Sequence, residues 1–387
     1  MDRLCVSAKV MVMMKYYRVI LLILLYFYSL GFSAFACRYN VRETGFVDLD
    51  SEPYYFYCYI NKETPEEIAS IFKQISNAAF IDCNIKPEMI NIDLQQGHPA
   101  LKYLNLWQIE SFPGAVLVSP EEQSLVILVK KDNEPFEKSL RSAINNIIYS
   151  PIREEILREV IKTYGVILLI EGENAQENNY YRRIAISNVE RIKNQMKTLV
   201  KNIEYPPVLI SLKPESFPRE KILLWSLGLG TDVTKPHAAV FYGKARWIGP
   251  LMIAEEISET NLMKILSIIG LNCECDLDIS WIRGTLFPVK WDQKRQAQVA
   301  RLLGFDPENP MIKYEVNRIL KKGSSVYPGV PVMFPDSTLK SDSVSDGYVI
   351  DKERAYLKST LYFILGFVTI IIVIVLILLC KGKKRSS

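Results

Sequence analysis

Histidine is nearly absent from this chain. Two histidines, His98 and His237, occur among 387 residues, so acid–base catalysis centred on histidine has little to work with. The seven cysteines include no Cys-x-x-Cys pair. The sequence also has no phosphate-binding loop, no zinc-ligand spacing and no Gly-x-Ser-x-Gly elbow. These absences argue against most recognisable enzyme classes, and we expect no bound cofactor.

The body of the chain also lacks a net positive charge. The formal net charge is +4, but residues 1–36 contribute +3 and residues 381–387 contribute +4, which leaves −3 for the residues between them. Nucleic-acid binding needs a positive surface. The charge distribution therefore argues against a nucleic-acid partner.

The first 36 residues are typical of an export signal. Lys15 and Arg18 precede an apolar run, and residues 34–36 (Ala-Phe-Ala) fit a small-residue cleavage pattern. The sequence therefore predicts a signal peptide over residues 1–36. Two alternatives stay open: an uncleaved membrane anchor, and lipid attachment at Cys37, the first residue after the predicted cleavage.

A second apolar run lies near the C-terminus. Residues 359–380 carry no charge and are rich in Ile, Leu and Val, over about the length that crosses a hydrocarbon core. The basic residues of 381–387 follow at once, and positive charge beside a span marks the cytoplasmic side. We therefore predict a single transmembrane helix in the cell membrane, a cytoplasmic tail, and a body on the extracytoplasmic (periplasmic) side. Disulfides form in such a compartment.

Residues 37–150 show an ordered succession of strands and helices. The aromatic segment 53–60 predicts a strand. Thr64 and Glu67 have the spacing of a capping box, with apolar residues at helical spacing behind them. The complete predicted order is β-α-β-α-β-β-α, and Pro113 directly precedes the third strand.

The same order recurs in residues 151–272, at a shift of about 120 residues. An apolar strand is predicted at 166–170. Ser187 and Glu190 are spaced as a capping box that opens the next helix. Pro236 again directly precedes a strand. This recurrence predicts a domain duplication, each copy with its own four-stranded sheet.

Both units resemble the thioredoxin family, through the element order and through the proline before the third strand. The first unit also resembles it through Asn91-Ile92-Asp93 at a strand end. In that family this proline is cis and its loop is part of a peptide-binding surface. The resemblance thus implies an α/β fold with two tandem thioredoxin-like domains, and cis bonds at Phe112–Pro113 and Lys235–Pro236. It implies a binding surface that includes Phe112, Pro113, Lys235, Pro236 and His237.

The resemblance does not extend to the chemistry. The family's cysteine pair lies where the first strand meets the first helix, and here residues 61–64 are Asn-Lys-Glu-Thr, without sulfur. A thiolate is what attacks a disulfide, so the redox role does not carry over to this position. Cys58 and Cys83 are either buried free thiols or a disulfide pair. For His237, an ordinary loop histidine is the alternative to a functional one.

Residues after 272 have no counterpart in that fold. We predict a helical extension over 273–320 and a stalk rich in Ser, Pro, Gly and Asp over 321–358. Cys273 and Cys275 form a Cys-x-Cys pair among acidic residues. Three roles stay open for this pair: disulfides with other cysteines, thiol exchange, or binding of a soft metal as thiolates.

The sequence therefore favours a membrane-anchored, non-catalytic module that binds another envelope protein or a peptide. The alternatives are a thiol–disulfide oxidoreductase that uses Cys273 and Cys275, and a copper- or zinc-handling protein that uses the same pair. The oligomeric state does not follow from these patterns.

Overall fold

The computed structural model describes residues 39–48, 52–198, 203–271 and 285–326. The predicted signal peptide, transmembrane helix and cytoplasmic tail lie outside these residues, and so do Cys273 and Cys275. Within the described ranges, no helix is both long and apolar enough to cross a membrane.

The first domain has the predicted order of elements. They are β1 (Tyr54–Ile60), α2 (Glu66–Ala79), β2 (Ile85–Asn91), α3 (Leu101–Leu106), β3 (Gly114–Val118), β4 (Ser124–Ile127) and α4 (Phe136–Ile148), after a short α1 (Val41–Thr44). The sheet order is β2-β1-β3-β4. β2 runs parallel to β1, whereas β3 is antiparallel to both β1 and β4. This is the topology of a thioredoxin-like domain.

Two helices cover one face of this sheet. α2 and α4 carry apolar residues at helical spacing, such as Phe72 and Ile144, and these pack against Phe56 and Leu117 of the sheet. Each fully buried side chain of this size contributes about 1.5–3 kcal/mol. The opposite face is covered only in part, because α3 is short. This difference leaves part of that face accessible, at Val126 of β4.

The second domain contains a larger sheet. Its elements are α5 (Pro151–Lys162), β5 (Val166–Ile170), α6 (Ala175–Gln195), β6 (Val208–Leu212), α7 (Lys221–Ser226), β7 (His237–Tyr242), β8 (Arg246–Ile253) and α8 (Glu259–Ile269), joined by β9 (Thr285–Leu286). The strand order is β6-β5-β7-β8-β9. The prediction of four strands was wrong here, because β9 comes from the segment after the repeat. All five residues of β5 are buried, as expected for a strand covered on both faces.

The helix that follows β5 begins earlier than predicted. α6 starts at Ala175, where the side chain of Asn174 accepts a hydrogen bond from the Gln176 amide at 2.9 Å. Ser187 instead lies inside α6, and its hydroxyl donates to Glu259 Oε1 of α8 at 3.1 Å. The capping box predicted at Ser187 was therefore wrong, because Asn174 caps α6 well before Ser187 in the chain.

The segment after β9 joins the two domains. The Tyr54 hydroxyl of β1 donates to the Leu286 carbonyl at 2.7 Å. Asn84 donates to the Phe287 carbonyl at 3.0 Å and accepts from the Val289 amide at 2.8 Å. The side chains of Phe287 and Val289 are buried in the core of the second domain. Part of the predicted extension therefore packs against both domains.

Two helices complete the described chain. α9 (Gln293–Leu303) begins after Asp292, whose side chain accepts from the Arg295 amide at 2.9 Å. α10 (Pro310–Val326) continues past the predicted start of the stalk at residue 321. The helices expected in the extension are thus present.

A buried arginine lies where the first domain meets the second. Arg153 of α5 is 1% exposed and donates to the carbonyls of Asn146 at 2.8 Å and Pro288 at 3.0 Å. Its Nε also donates to the Ser150 hydroxyl at 2.9 Å. Ser150 in turn donates to the buried carboxylate of Glu220. Arg153 therefore links α4, α5 and the segment after β9.

The N-terminal segment 39–48 packs on the second domain, although the sequence assigned it to the first. Val41 and Phe46 lie in the two cores on either side of the second sheet. Arg42 donates to the Thr163 carbonyl at 2.8 Å, and Arg246 of β8 donates to the Gly45 carbonyl at 3.1 Å. The segment thus covers the end of the second domain.

Candidate functional site

Three loops of the first domain meet at one edge of its sheet. β1 and β2 are parallel, so both end there, and Ile60 lies opposite Asn91. β3 is antiparallel and begins there, with Gly114 opposite Tyr59. We call this region the cis-proline edge and define it as residues 61–64, 92–94 and 108–113.

The Phe112–Pro113 peptide bond is cis, as predicted. Pro113 is buried, whereas Phe112 is half-buried and packs against the cluster beneath α3. The prediction for the second domain was wrong. Among the described residues, Phe112–Pro113 is the one cis bond, so Lys235–Pro236 is trans.

The junction at 61–64 is held by polar side chains. The Thr64 hydroxyl donates to Asn61 Oδ1 at 2.7 Å and accepts from the Asn61 amide at 3.1 Å. The Lys62 amide donates to Asp93 Oδ2 at 2.7 Å. The capping box predicted for Thr64 and Glu67 was wrong, because the Thr64 hydroxyl bonds back to Asn61 and no side chain caps α2. These bonds fix the junction without a disulfide.

Large apolar side chains are exposed on the connection from β2 to β3. Leu94 is 73% exposed, Leu106 67% and Trp107 44%. Leu94 lies at the cis-proline edge, where β2 ends. Trp107 lies toward the other end of the sheet, because its Nε1 donates to the hydroxyl of Ser124, which pairs with Val118. Exposed large apolar residues are candidates for an interaction surface.

Sequence patterns did not single out Leu94, Leu106 and Trp107. In the predicted helix 98–107, Leu106 and Trp107 look like ordinary core positions, because the pattern gives periodicity but not which neighbour covers a face. The shortness of α3 decides the exposure, and that is a tertiary property. A large apolar residue directly after a polar strand end, as at Leu94, was the available signal.

The rim of the edge is acidic. Asp93 is half-buried and Lys62 is exposed. The exposed acidic residues nearby in the chain are Glu63, Glu66, Glu67 and Glu110. Carboxylates thus outnumber the single lysine, and the edge favours a positively charged ligand.

The described cysteines are not reactive thiols. Burial raises the pKa of the Cys58 thiol to about 12 and, as the main cause, that of Cys83 to about 12. Both are free, so the disulfide between them is not formed. The thiolate is the nucleophile in disulfide exchange, and at neutral pH neither residue supplies one.

The corresponding edge of the second domain is closed by its own backbone. The Glu173 amide donates to the Thr234 carbonyl at 3.0 Å. A Cβ atom on Gly172 would lie 2.9 Å from the nitrogen of Pro236 and nearer still to Thr234. The junction and the proline loop are therefore in direct contact, which leaves no room for a ligand between them.

His237 lies at the start of β7, inside this closed region. It is 8% exposed, and its Nδ1 lies 2.8 Å from the Lys235 carbonyl, so Nδ1 carries the proton and donates. Burial is the main cause that lowers the pKa of His237. The structure thus places Pro236 and His237 in the interior, while Lys235 is exposed.

An aromatic cluster lies on the partly covered face of the first sheet. The rings of Tyr55 and Tyr57 stack at 5.5 Å, and Tyr57 stacks on Tyr103 of α3 at 6.3 Å. His98 Nδ1 accepts from the Ala100 amide at 3.2 Å, so Nε2 carries the proton and donates to Glu88 at 3.1 Å. The alternating tyrosines, which strand propensity explains, thus also support α3.

Metal-binding groups do not cluster in the described ranges. No set of three or more His, Cys, Asp and Glu side chains there could hold a metal ion. Cys273 and Cys275 lie outside those ranges.

No protein-family model matches the chain, and no curated protein matches it. Solved structures with some likeness include the first two thioredoxin domains of Saccharomyces cerevisiae Eps1p, at 10% identity and TM-score 0.21, over 56% of this chain and 92% of that one. Human ERp44 in a zinc-bound form matches at 10% identity and TM-score 0.21, over 57% of this chain and 55% of that one. The bb fragment of ERp72 matches at 11% identity and TM-score 0.19, over 56% of this chain and 88% of that one.

Scores of this size carry no argument about function. The fold follows from the strand order of the two sheets and from the helices that connect their strands. The described body consists of two tandem thioredoxin-like domains.

Proposed function

We propose that this chain is a non-catalytic binding module, anchored in the cell membrane with its body on the extracytoplasmic side. Its ligand is another envelope protein, held through a peptide segment at the cis-proline edge of the first domain. The second domain and the segment after β9 support the first domain and present that edge.

One observation carries this proposal. The connection that leads into the cis-proline edge keeps exposed apolar side chains at Leu94 and Leu106, whereas residues 61–64 contain no cysteine. The edge therefore has a surface to bind with and lacks the thiol needed to react.

The size of the edge sets the expected affinity. Covering a large apolar side chain contributes about 1.5–3 kcal/mol, and association costs several kcal/mol in lost freedom. A short extended segment should therefore bind with a dissociation constant on the order of micromolar. Because the rim is acidic, the preferred segment combines apolar residues with Lys or Arg.

Titration calorimetry on the full chain in detergent tests the binding role. The probe is a synthetic seven-residue peptide that alternates Lys with Leu or Phe, compared with the same peptide carrying Glu for Lys. We expect Leu94→Ser combined with Leu106→Ser to weaken binding at least tenfold. The matched control combines Ile81→Ser with Leu302→Ser, at two exposed apolar positions elsewhere, and should bind like the parent chain.

Equal affinity of the edge variant and the control variant would refute binding at this edge. Preference for the Glu peptide would refute the role of the acidic rim.

Membrane topology has a separate test. Charge after residue 380 supports a cytoplasmic tail, so protease added to sealed spheroplasts should digest the body and spare an epitope fused after residue 387. Protection of the body would overturn the extracytoplasmic location.

A second candidate function is supported by the pair Cys273 and Cys275. A Cys-x-Cys disulfide closes a small, strained ring and is easily reduced, which suits an oxidoreductase. Reduction of insulin by the full chain, lost in Cys273→Ser and Cys275→Ser but kept in Cys58→Ser, would establish this role. A copper or zinc ion bound at one per chain, and lost in the same variants, would establish metal handling instead.

A further inference from the structure

The outer edge of the first sheet has no neighbour in the described part of the chain. β4 is the last strand in the order β2-β1-β3-β4. The amide of Ser119 donates to the carbonyl of Gln123 at 2.8 Å, which makes these residues a hydrogen-bonded pair. Such pairs alternate along antiparallel strands, so Leu125 and Ile127 also bond to β3. The outward N–H and C=O groups belong to Ser124, Val126 and Leu128.

The side chains along this edge are apolar and exposed. Val126 is 38% exposed and Leu128 66%. Trp107 lies beside them, since its Nε1 donates to the Ser124 hydroxyl at 3.0 Å. Unpaired backbone groups are therefore bordered by an apolar surface.

The other edge of the same sheet is protected. Proteins guard free edges with proline and charge, and β2 carries Lys86, Pro87 and Glu88. Between residues 124 and 129, β4 has neither a charge nor a proline. An edge of this kind is suited to accept another strand.

The sequence around β4 is complementary to itself. Residues 121–131 are Glu-Glu-Gln-Ser-Leu-Val-Ile-Leu-Val-Lys-Lys. With Val126 on a two-fold axis, antiparallel pairing of two copies brings Glu121 and Glu122, which lie in the turn before β4, beside Lys131 and Lys130 of the other copy. Glu122 also pairs with Lys102 of its own chain at 2.8 Å. All four charged residues are exposed, so opposite charges meet at both ends of the pairing.

The backbone supports the same register. Around Val126, each residue with outward groups lies opposite another such residue, with Ser124 opposite Leu128. A slip of two residues also keeps the hydrogen bonds, but it places Glu122 opposite either Leu128 or Asp132. The charges therefore favour the register about Val126 over the other two.

We propose that β4 pairs antiparallel with β4 of a second copy of this chain, and that the two sheets join about a two-fold axis at Val126. The interface is isologous, so each copy offers the same surface. It covers Trp107, Val126 and Leu128. It is independent of the cis-proline edge and of the proposed ligand.

The first test removes an outward hydrogen bond. Val126→Pro deletes an N–H that faces away from β3, so the sheet keeps its internal bonds. We expect the full chain in detergent to be a dimer by sedimentation equilibrium, and Val126→Pro to raise the dissociation constant at least tenfold. Ile81→Lys, at an exposed apolar position of the same domain, should leave it unchanged. Circular dichroism checks that each variant is folded.

The second test reverses charges. Glu121→Lys with Glu122→Lys should weaken the dimer about tenfold, since attraction becomes repulsion at both ends. Lys130→Glu with Lys131→Glu should do the same. Mixed in equal amounts, the two variants should form a heterodimer at the parent affinity, because each positive end then meets a negative end. Damage to the fold could not produce this rescue.

A chain that stays monomeric at about 100 µM overturns the proposal, because a specific interface should bind more tightly than that. A dimer insensitive to Val126→Pro also overturns it, since the contact then lies elsewhere. Loss of the dimer without rescue in the mixture contradicts the register. A monomer whose β4 edge binds an unrelated strand peptide identifies a different occupant.

Discussion

The two domains share a fold but differ at the edge where the proline lies. In the first domain the Pro113 loop and the junction at 61–64 have separate supports, and the edge carries exposed apolar residues. In the second domain the Pro236 loop contacts residues 172 and 173 directly. The two domains therefore share the order of their first four strands, whereas this edge is open only in the first domain.

A single position explains much of this difference. Counted from the end of the first strand of each domain, Lys62 corresponds to Gly172. Gly172 has no side chain, so its backbone approaches the Pro236 loop. At the corresponding position of the first domain, the Lys62 amide donates to Asp93 Oδ2 at 2.7 Å instead.

The largest expected effect tests whether these unlike domains unfold together. Arg153→Ala removes the buried donor to the carbonyls of Asn146 and Pro288 and to the Ser150 hydroxyl, together with the positive charge near the Glu220 carboxylate. Loss of such a group destabilises by about 3–5 kcal/mol. Denaturant unfolding should show one transition at lower stability. Arg158→Ala, which removes an exposed ion pair, should cost less than about 1 kcal/mol.

Two separate transitions in the Arg153→Ala variant, with the first domain unchanged, would show that the domains are energetically independent. The comparison would then concern two folding units and not one.

Gly172→Ala tests the closed edge directly. A Cβ atom there would meet the Thr234 and Pro236 backbone, so we expect a loss of about 1–3 kcal/mol. Gly97→Ala is the matched control in the first domain, since nothing lies within 4 Å of its Cβ position. Chemical denaturation measures both. A neutral Gly172→Ala would mean that the second edge opens without cost.

The sequence predicted strands and helices well where their apolar residues recur at a regular spacing. β5 and α4 begin and end where the apolar pattern begins and ends, at 166–170 and 136–148. Caps were predicted less well. A Ser-x-x-Glu or Thr-x-x-Glu spacing does not decide whether the hydroxyl faces an amide, as Ser187 and Thr64 show.

The candidate site was only half predictable. Proline before a strand pointed to both loops, and the cis bond at Pro113 followed. The sequence could not show that the Pro236 loop is closed, because contact with Gly172 joins residues about sixty positions apart. The missed helix α5 has the same cause, since its boundary depends on Ser150 and on packing against the second sheet.

A smaller effect is expected on the pH dependence of stability, through His237 at the closed edge of the second domain. Burial lowers the pKa of His237 from 6.5, so below pH 6.5 the unfolded chain binds a proton that the folded chain resists. Stability is therefore complete above pH 6.5 and falls as the pH drops through the lowered value. His237→Asn keeps a donor for the Lys235 carbonyl and does not titrate. Denaturation at pH 5 and pH 8 should show a smaller difference in this variant. An unchanged difference would place the titrating group elsewhere.

The smallest expected effect lies at the open edge. Thr64→Val keeps the shape of the side chain and removes the hydroxyl that both donates to and accepts from Asn61. The residues are half-buried, so water replaces part of the lost bonding, and we expect a loss of about 0.5–1.5 kcal/mol. Ser70→Ala, in the exposed middle of α2, is the control and should change stability by less than about 0.5 kcal/mol.

The peptide titration of the Thr64→Val variant sharpens the comparison between the domains. If the Thr64 bonds hold the junction ready for a ligand, Thr64→Val should weaken peptide binding several-fold, because the loop must then be ordered on binding. If stability drops while affinity stays constant, the junction supports the fold alone, and the ligand contacts only the proline loop and the exposed leucines.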